Sequence, residues 1–275
     1  MRIIISLFFI TFFLISCTKN VQKKSLITED ELELQVSEAY NEGVKSLEAG
    51  DVLFAAKKFN EVELLFPQSE WAAKSALMAA YSYYSQDYYV DAIAETQRFI
   101  KVYPLHKNVD YAHYILSLSY YEQIVDETKD LQSITLAKKN FEILINKFPN
   151  SPYVLDSKFK IDLINDVLAA KEMYVGRYYF EKKKWIPAIN RFREVVDNYD
   201  TTIYVEEALH RLVEVYYTIG LKNEAKKYAQ LLGYNYKSSE WYEKSYKLFN
   251  KSYENNKLKV QKKKSLLSRL KSLAD

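Results

Sequence analysis

The 275-residue chain is short of several residue types, and each shortage excludes something. One cysteine, Cys17, rules out an internal disulfide and any cysteine-rich metal site. Five glycines and five prolines are too few for the turns of an all-β protein of this size, so helices are favoured. Neither sign of charge dominates: 39 Lys and Arg stand against 36 Asp and Glu, a net +3, which gives no global nucleic-acid footprint. Three histidines are present, His106, His113 and His210, and none lies in an H-E-x-x-H motif. A nucleophile elbow, a phosphate-binding loop and a dinucleotide fingerprint are missing as well. His106, Asp110 and His113 make a weak metal hypothesis; the plainer reading is exposed or hydrogen-bonded histidines, and no metal or other cofactor is expected. His210 and Glu214 are spaced as an ordinary helix-surface pair. A metal-dependent hydrolase is the class of function left least supported.

What the chain does have begins at its start. Arg2 precedes an almost unbroken apolar run, Ile3 to Ile15. That run is too short for a membrane-spanning helix, which needs about 20 residues. It suits the hydrophobic core of a signal peptide. The run ends Leu14-Ile15-Ser16-Cys17, which resembles the bacterial lipobox. The resemblance implies a signal peptide over 1–16, cleavage before Cys17, and N-acyl and S-diacylglycerol lipid on that residue. Two or three acyl chains hold a protein firmly to a bilayer surface. Thr18, where Asp would favour inner-membrane retention, leans toward the outer membrane. Residues 17–31 are polar and read as a tether, 32–250 as a helical repeat domain, and 251–275 as a basic amphipathic tail.

The repeat is visible as a register. Ala55, Ala92, Ala137, Ala188 and Ala225 each open a pattern continued four and seven positions on, by apolar residues except for Thr96 in the second copy. Phe59 and Val62 follow the first alanine, Phe141 and Leu144 the third, Phe192 and Val195 the fourth. Pro67, Pro104 and Pro149 fall twelve positions after their alanines, with Asp200 and Lys237 in the last two such slots. Gly43, Ala80 and Gly176 lie twelve positions before theirs. A small residue on each of two helices lets their axes approach, and proline ends the second helix. The pattern resembles the tetratricopeptide repeat. It implies an all-α fold of five TPR-like helix hairpins in an elongated α-solenoid, plus a C-terminal basic helix. Alanine spacings of 37, 45, 51 and 37 residues exceed the usual value, roughly 34. The middle repeats are therefore lengthened or carry inserts, Val125 to Thr135 being the clearest.

Such stacks bind other proteins on a concave surface. By the same register Tyr40, Val44 and Leu47, then Leu77, Tyr81 and Tyr84, line an inner groove. Tyr40, Tyr81 and Tyr84 would suit an extended peptide, or else belong to the inter-repeat core. The tail carries Lys262, Lys263 and Lys264, then Leu266, Leu267, Leu270 and Leu273 at amphipathic-helix spacing, fit to cap the last repeat or to touch lipid or a partner.

A more specific resemblance runs from about Leu34 to Tyr242. It rests on Val175-Gly176-Arg177-Tyr178-Tyr179, Ala188-Ile189-Asn190-Arg191-Phe192, Tyr199-Asp200-Thr201-Thr202, Glu206-Glu207-Ala208-Leu209 and Ser239-Glu240-Trp241-Tyr242. Phe66-Pro67-Gln68-Ser69 and Tyr120-Tyr121-Glu122-Gln123-Ile124 agree with it. The chain is similar to the BamD family, lipoproteins of the outer-membrane β-barrel assembly machinery, and most to its alphaproteobacterial members. The resemblance implies a non-catalytic scaffold, lipid-anchored on the periplasmic face of the outer membrane. Its C-terminal repeats would dock the POTRA domains of the barrel subunit BamA beside other lipoproteins of the complex. Its N-terminal repeats would meet nascent outer membrane proteins. The family's Asn-Arg motif falls on Asn190 and Arg191, which are then the expected docking residues. Another periplasmic TPR lipoprotein, coordinating cell-wall synthesis or envelope constriction, is the alternative.

Overall fold

A computed structural model describes residues 29–124 and 132–250. Cys17, the signal peptide, the basic tail and residues 125–131 lie outside the described residues. Eleven helices and no strands occur among those described. They are α1 (Glu29–Glu48), α2 (Val52–Leu65), α3 (Glu70–Tyr84), α4 (Tyr89–Val102), α5 (Val109–Tyr121), α6 (Gln132–Lys147), α7 (Val154–Glu181), α8 (Trp185–Asn198), α9 (Val205–Thr218), α10 (Lys222–Asn235) and α11 (Glu240–Phe249). The fold is the all-α, TPR-like one expected from the register. Two boundaries move. Helix begins at Glu29, so the tether ends no later than 28 and not at 31. Helix α6 begins at Gln132, so the last four residues assigned to an insert belong to the third repeat. The described residues form two compact units, divided between Ser75 and Ala76.

In the first unit α1 and α2 pack as a hairpin. Its closest approach is at Gly43, where a Cβ would stand 2.8 Å from the Phe59 ring. The same device recurs in the second unit: a Cβ on Gly176 would stand 2.6 Å from the Phe192 ring. In each case the aromatic of the second helix fills the space left by a missing side chain on the first. All five key alanines are fully buried, as are Val62, Phe99, Leu144, Val195 and Leu232 seven positions on.

Two further signals set the turns. Five residues before each key alanine stands Gly50, Asp87, Lys183 or Gly220, all with positive φ, in four of the five repeats. A single left-handed residue reverses the chain between the two helices of the hairpin. Eleven residues after each alanine stands an aromatic: Phe66, Tyr103, Phe148, Tyr199 or Tyr236. Its N–H bonds the carbonyl four back, and its own carbonyl accepts from Ser69, His106, Ser151, Thr202 or Ser239. Tyr199 and Tyr236 leave helical geometry, with ψ of 40° and 49°, although no proline follows them. Both pack against buried apolar residues of the neighbouring helices, which takes the chain off the helix axis. Proline at the next position reinforces a break that the aromatic already makes.

The long spacing before Ala188 is explained by α7. It runs 28 residues, about 42 Å at 1.5 Å per residue. Ile161, Ile164, Val167 and Leu168 join the core of the third repeat with Leu118, Ile134 and Phe141. Ala169 and Met173 join the core of the fourth and fifth repeats with Phe192 and Leu212. Tyr114 Oη donates to Asp156 Oδ2 at 2.7 Å, and Ser151 Oγ to Asp110 Oδ2 at 2.7 Å, tying α5 to the start of α7.

Gly176→Ala should lower stability by about 1–3 kcal/mol, because a fully buried phenyl ring cannot step aside. The gain in helix propensity, about 1 kcal/mol at most, does not offset it. Gly220→Ala should cost about 1–2 kcal/mol through backbone strain alone, since no neighbour lies within 4 Å of its Cβ position. Urea titration of both variants checks these values.

Candidate docking surface

On the fourth repeat, α7 and α8 present Arg191 and Glu172 to each other. Arg191 Nη1 donates to both oxygens of Glu172, at 3.2 and 3.0 Å. Glu172 is largely buried, whereas the Arg191 side chain is 46% exposed. The acid therefore aims the guanidinium, and only Nη1 is engaged by it. The remaining N–H groups, in a planar fork, are suited to a carboxylate on a partner. Around the pair lies a cleft of about 410 Å³, lined also by Tyr179, Ile186, Pro187, Asn190 and Glu194. Asn190 is exposed, and Ile186 is 73% exposed. An exposed apolar residue beside an aimed arginine has the composition of an interface core with a polar neighbour.

A chain of charged contacts joins α7 to α9. Arg177 of α7 makes a two-pronged pair with Glu207 of α9, Nε to Oε1 at 2.9 Å and Nη2 to Oε2 at 2.6 Å. Arg211 donates to Glu207 at 3.2 Å and to Glu214 at 2.7 Å. Its guanidinium also lies 5.7 Å from the ring centres of Phe180 and of Trp241. Burial alone would raise the Glu207 pKa. Hydrogen bonds and charge from Arg177, with Arg211, outweigh it and hold the carboxyl below its ordinary 4.5. At Glu214 burial is likewise outweighed, by His210 and Arg211, and that carboxyl is also lowered.

His210 corrects an expectation. Its spacing to Glu214 read as a surface pair, but it is 3% exposed, between α9 and α11. Its Nδ1 lies 2.8 Å from Ser245 Oγ, its Nε2 3.6 Å from Glu214, and its ring packs at a tilt of 35° against Trp241, centroids 5.3 Å apart. Ser245 is fully buried, and its contact with His210 ties the last helix to α9. His113 is buried too, packed on Phe148, and burial lowers its pKa. No cluster of metal-ligating side chains occurs among the described residues.

The three groove tyrosines are divided between the two units. Tyr40 lies in the first unit, edge-on to Phe59 and Trp71 with the Lys74 ammonium 4.4 Å above its ring. Tyr81 and Tyr84 lie in the second; both are half-buried, Tyr84 against the core of the third repeat and 6.2 Å from Tyr89. Leu77, expected beside them in the groove, is a core residue. Helix-face counting could not separate the groove side of α3 from its packed side. Sequence reading also missed the Arg177–Glu207–Arg211 pairing, although those residues sit inside the motifs that carried the family resemblance.

A stack of TPR-like hairpins with an aimed arginine on its surface defines a helical-repeat binding scaffold. The chain belongs to the family described as "YfiO: Outer membrane lipoprotein", whose sequence model matches residues 32–231. It is similar to the outer membrane protein assembly factor BamD of Rickettsia prowazekii, 43% identical over 84% of this chain and 92% of that one. BamD of Caulobacter vibrioides is 39% identical over 85% of this chain and 76% of its own length. BamD of Neisseria meningitidis serogroup A is 31% identical over 80% and 85%. Among the described residues no helix is long and apolar enough to cross a membrane.

Glu207→Gln should destabilise the chain by about 1–3 kcal/mol at neutral pH, toward the lower figure because Arg177 stays 38% exposed. A carboxyl with a lowered folded pKa stabilises above its ordinary value and loses that contribution as pH falls through the lowered one. Thermal melts taken from about pH 5 down to about pH 3 should therefore drop more steeply for the unaltered chain than for Glu207→Gln.

Proposed function

We propose that this chain is a non-catalytic scaffold of the outer membrane β-barrel assembly complex, aiding the folding and insertion of outer membrane proteins. The family match across 32–231, joined to relatives named as assembly factors, carries this reading. The lipobox motif supports an anchor of acyl chains on Cys17, which would hold the repeats at the periplasmic face of the outer membrane. The α7–α8 cleft supports docking of the POTRA domains of the barrel subunit BamA, with Arg191 meeting an acidic group and Ile186 meeting apolar surface. Other lipoproteins of the complex and nascent outer membrane proteins are the further partners, and Tyr40, Tyr81 and Tyr84 are candidates for contact with the latter.

Pull-down from detergent-solubilised envelopes tests the docking assignment. The unaltered chain should recover the barrel subunit. Arg191→Glu and Ile186→Asp should each reduce that recovery at least tenfold, the effect of losing about 1.4 kcal/mol. Circular dichroism melts should show both variants folded. Ile186→Asp matters because Ile186 makes no ion pair whose loss could unsettle the repeat. Recovery of a cell-wall synthesis or constriction complex in place of the barrel subunit would replace this function with that of a different periplasmic lipoprotein.

A further inference from the structure

We propose that the outer face of α2 rests on the phospholipid surface to which the chain is anchored. This builds on the lipid anchor at Cys17 and is independent of the docking surface on the fourth repeat. Exposed apolar residues occur singly all over the chain and need no explanation. On α2 they are gathered. Leu53, Phe54, Leu64 and Leu65 are 54%, 42%, 80% and 56% exposed. At about 100° per residue they fall within an arc of roughly 120°. The core residues Val52, Ala55, Phe59 and Val62 occupy the other side. Between the apolar residues stand Lys57, Lys58 and Glu61, and a shallow cleft of about 630 Å³ runs through the group. Glu61, the acid on this face, is paired with Lys58 at 3.2 Å, so no unpaired carboxylate would be pressed against headgroups. Lysine stems beside leucine and phenylalanine let the ammonium groups rise to the headgroup level while the apolar side chains enter.

The position of the anchor selects lipid as the occupant. Helices α1 and α2 run antiparallel: Lys58 pairs with Glu42 at 2.8 Å, and Gly43 faces Phe59. Leu32 and Val36, at the start of α1, line one cleft together with Phe66 and Pro67, just past the end of α2. Leu64 and Leu65 therefore sit at the end of the hairpin where the chain from Cys17 enters. Eleven residues, 18–28, separate Cys17 from Glu29. Fully extended they reach about 40 Å, and α2 itself is shorter than that. An anchored chain keeps this face at high effective concentration beside the bilayer.

The test uses full-length acylated protein in vesicles of phosphatidylethanolamine and phosphatidylglycerol. Cys17 is the only cysteine, and its thiol is consumed by lipid, so Leu64→Cys takes up a polarity-sensitive dye alone. Leu34→Cys is the reference: Leu34 lies at the same end of the hairpin, on α1, and is 60% exposed. Headgroup-labelled nitroxide lipid should quench the dye at position 64 several-fold more than at position 34. Adding Phe54→Glu and Leu65→Glu should bring position 64 down to the reference level with helicity unchanged. Equal quenching at 64 and 34 overturns the proposal. Shielding of position 64 by an unfolded outer membrane protein, without lipid quenching, overturns it in favour of a polypeptide. If Cys17 is unacylated, its thiol takes up dye and the mass of the chain shows it. The same comparison on the Cys17→Ser chain with added vesicles then reads the face without the anchor, and equal quenching there overturns the proposal too.

Discussion

The first and fourth hairpins depend on two helices being able to approach at a point where one of them has no side chain. Gly43 receives the ring of Phe59, and Gly176 receives the ring of Phe192. Once the axes are that close, the alanine four residues before the ring and the residue three after it are both fully buried. One hairpin buries only one side of itself, so stability accumulates across neighbours and not within a repeat. The shape of the binding surface is a by-product of that packing.

The candidate docking surface lies on helices that are cross-linked by charged side chains. Arg191 is aimed by Glu172 from the adjacent helix. A turn further along α7, Arg177 grips Glu207, and from there contacts run through Arg211, Glu214 and His210 to Ser245. Repeats four and five and the closing helix are thus linked by side chains as well as by cores. A partner docking there meets a surface whose polar groups are already placed, which lowers the entropic cost of binding.

Much of this was legible beforehand. The alanine register placed five hairpins, and the breaks near Pro67, Pro104, Pro149 and Tyr199 fell where helices end. Arg191 is proposed through its motif, and the structure pairs it with Glu172. Other features were present in the sequence but unread. The aromatic eleven positions after each alanine is there in all five repeats, whereas proline follows it in only three. The 51-residue spacing before Ala188 pointed to a lengthened repeat or an insert. Only the cores on either side show that one continuous helix fills it. The partners of His210 could not be read locally. Ser245 is 35 residues away, and counting along one helix treats a buried position and a surface one alike.

Helix α7 has a mechanical consequence. Where two repeats meet through a turn, each turn is a joint at which the stack can flex. Between the third and fourth repeats there is no such joint, because a single rod of 28 residues belongs to both. A twist imposed on the tyrosine-rich third repeat must reappear, undiminished by any hinge, at the helix that carries Glu172. In this chain the middle of the stack is a lever arm.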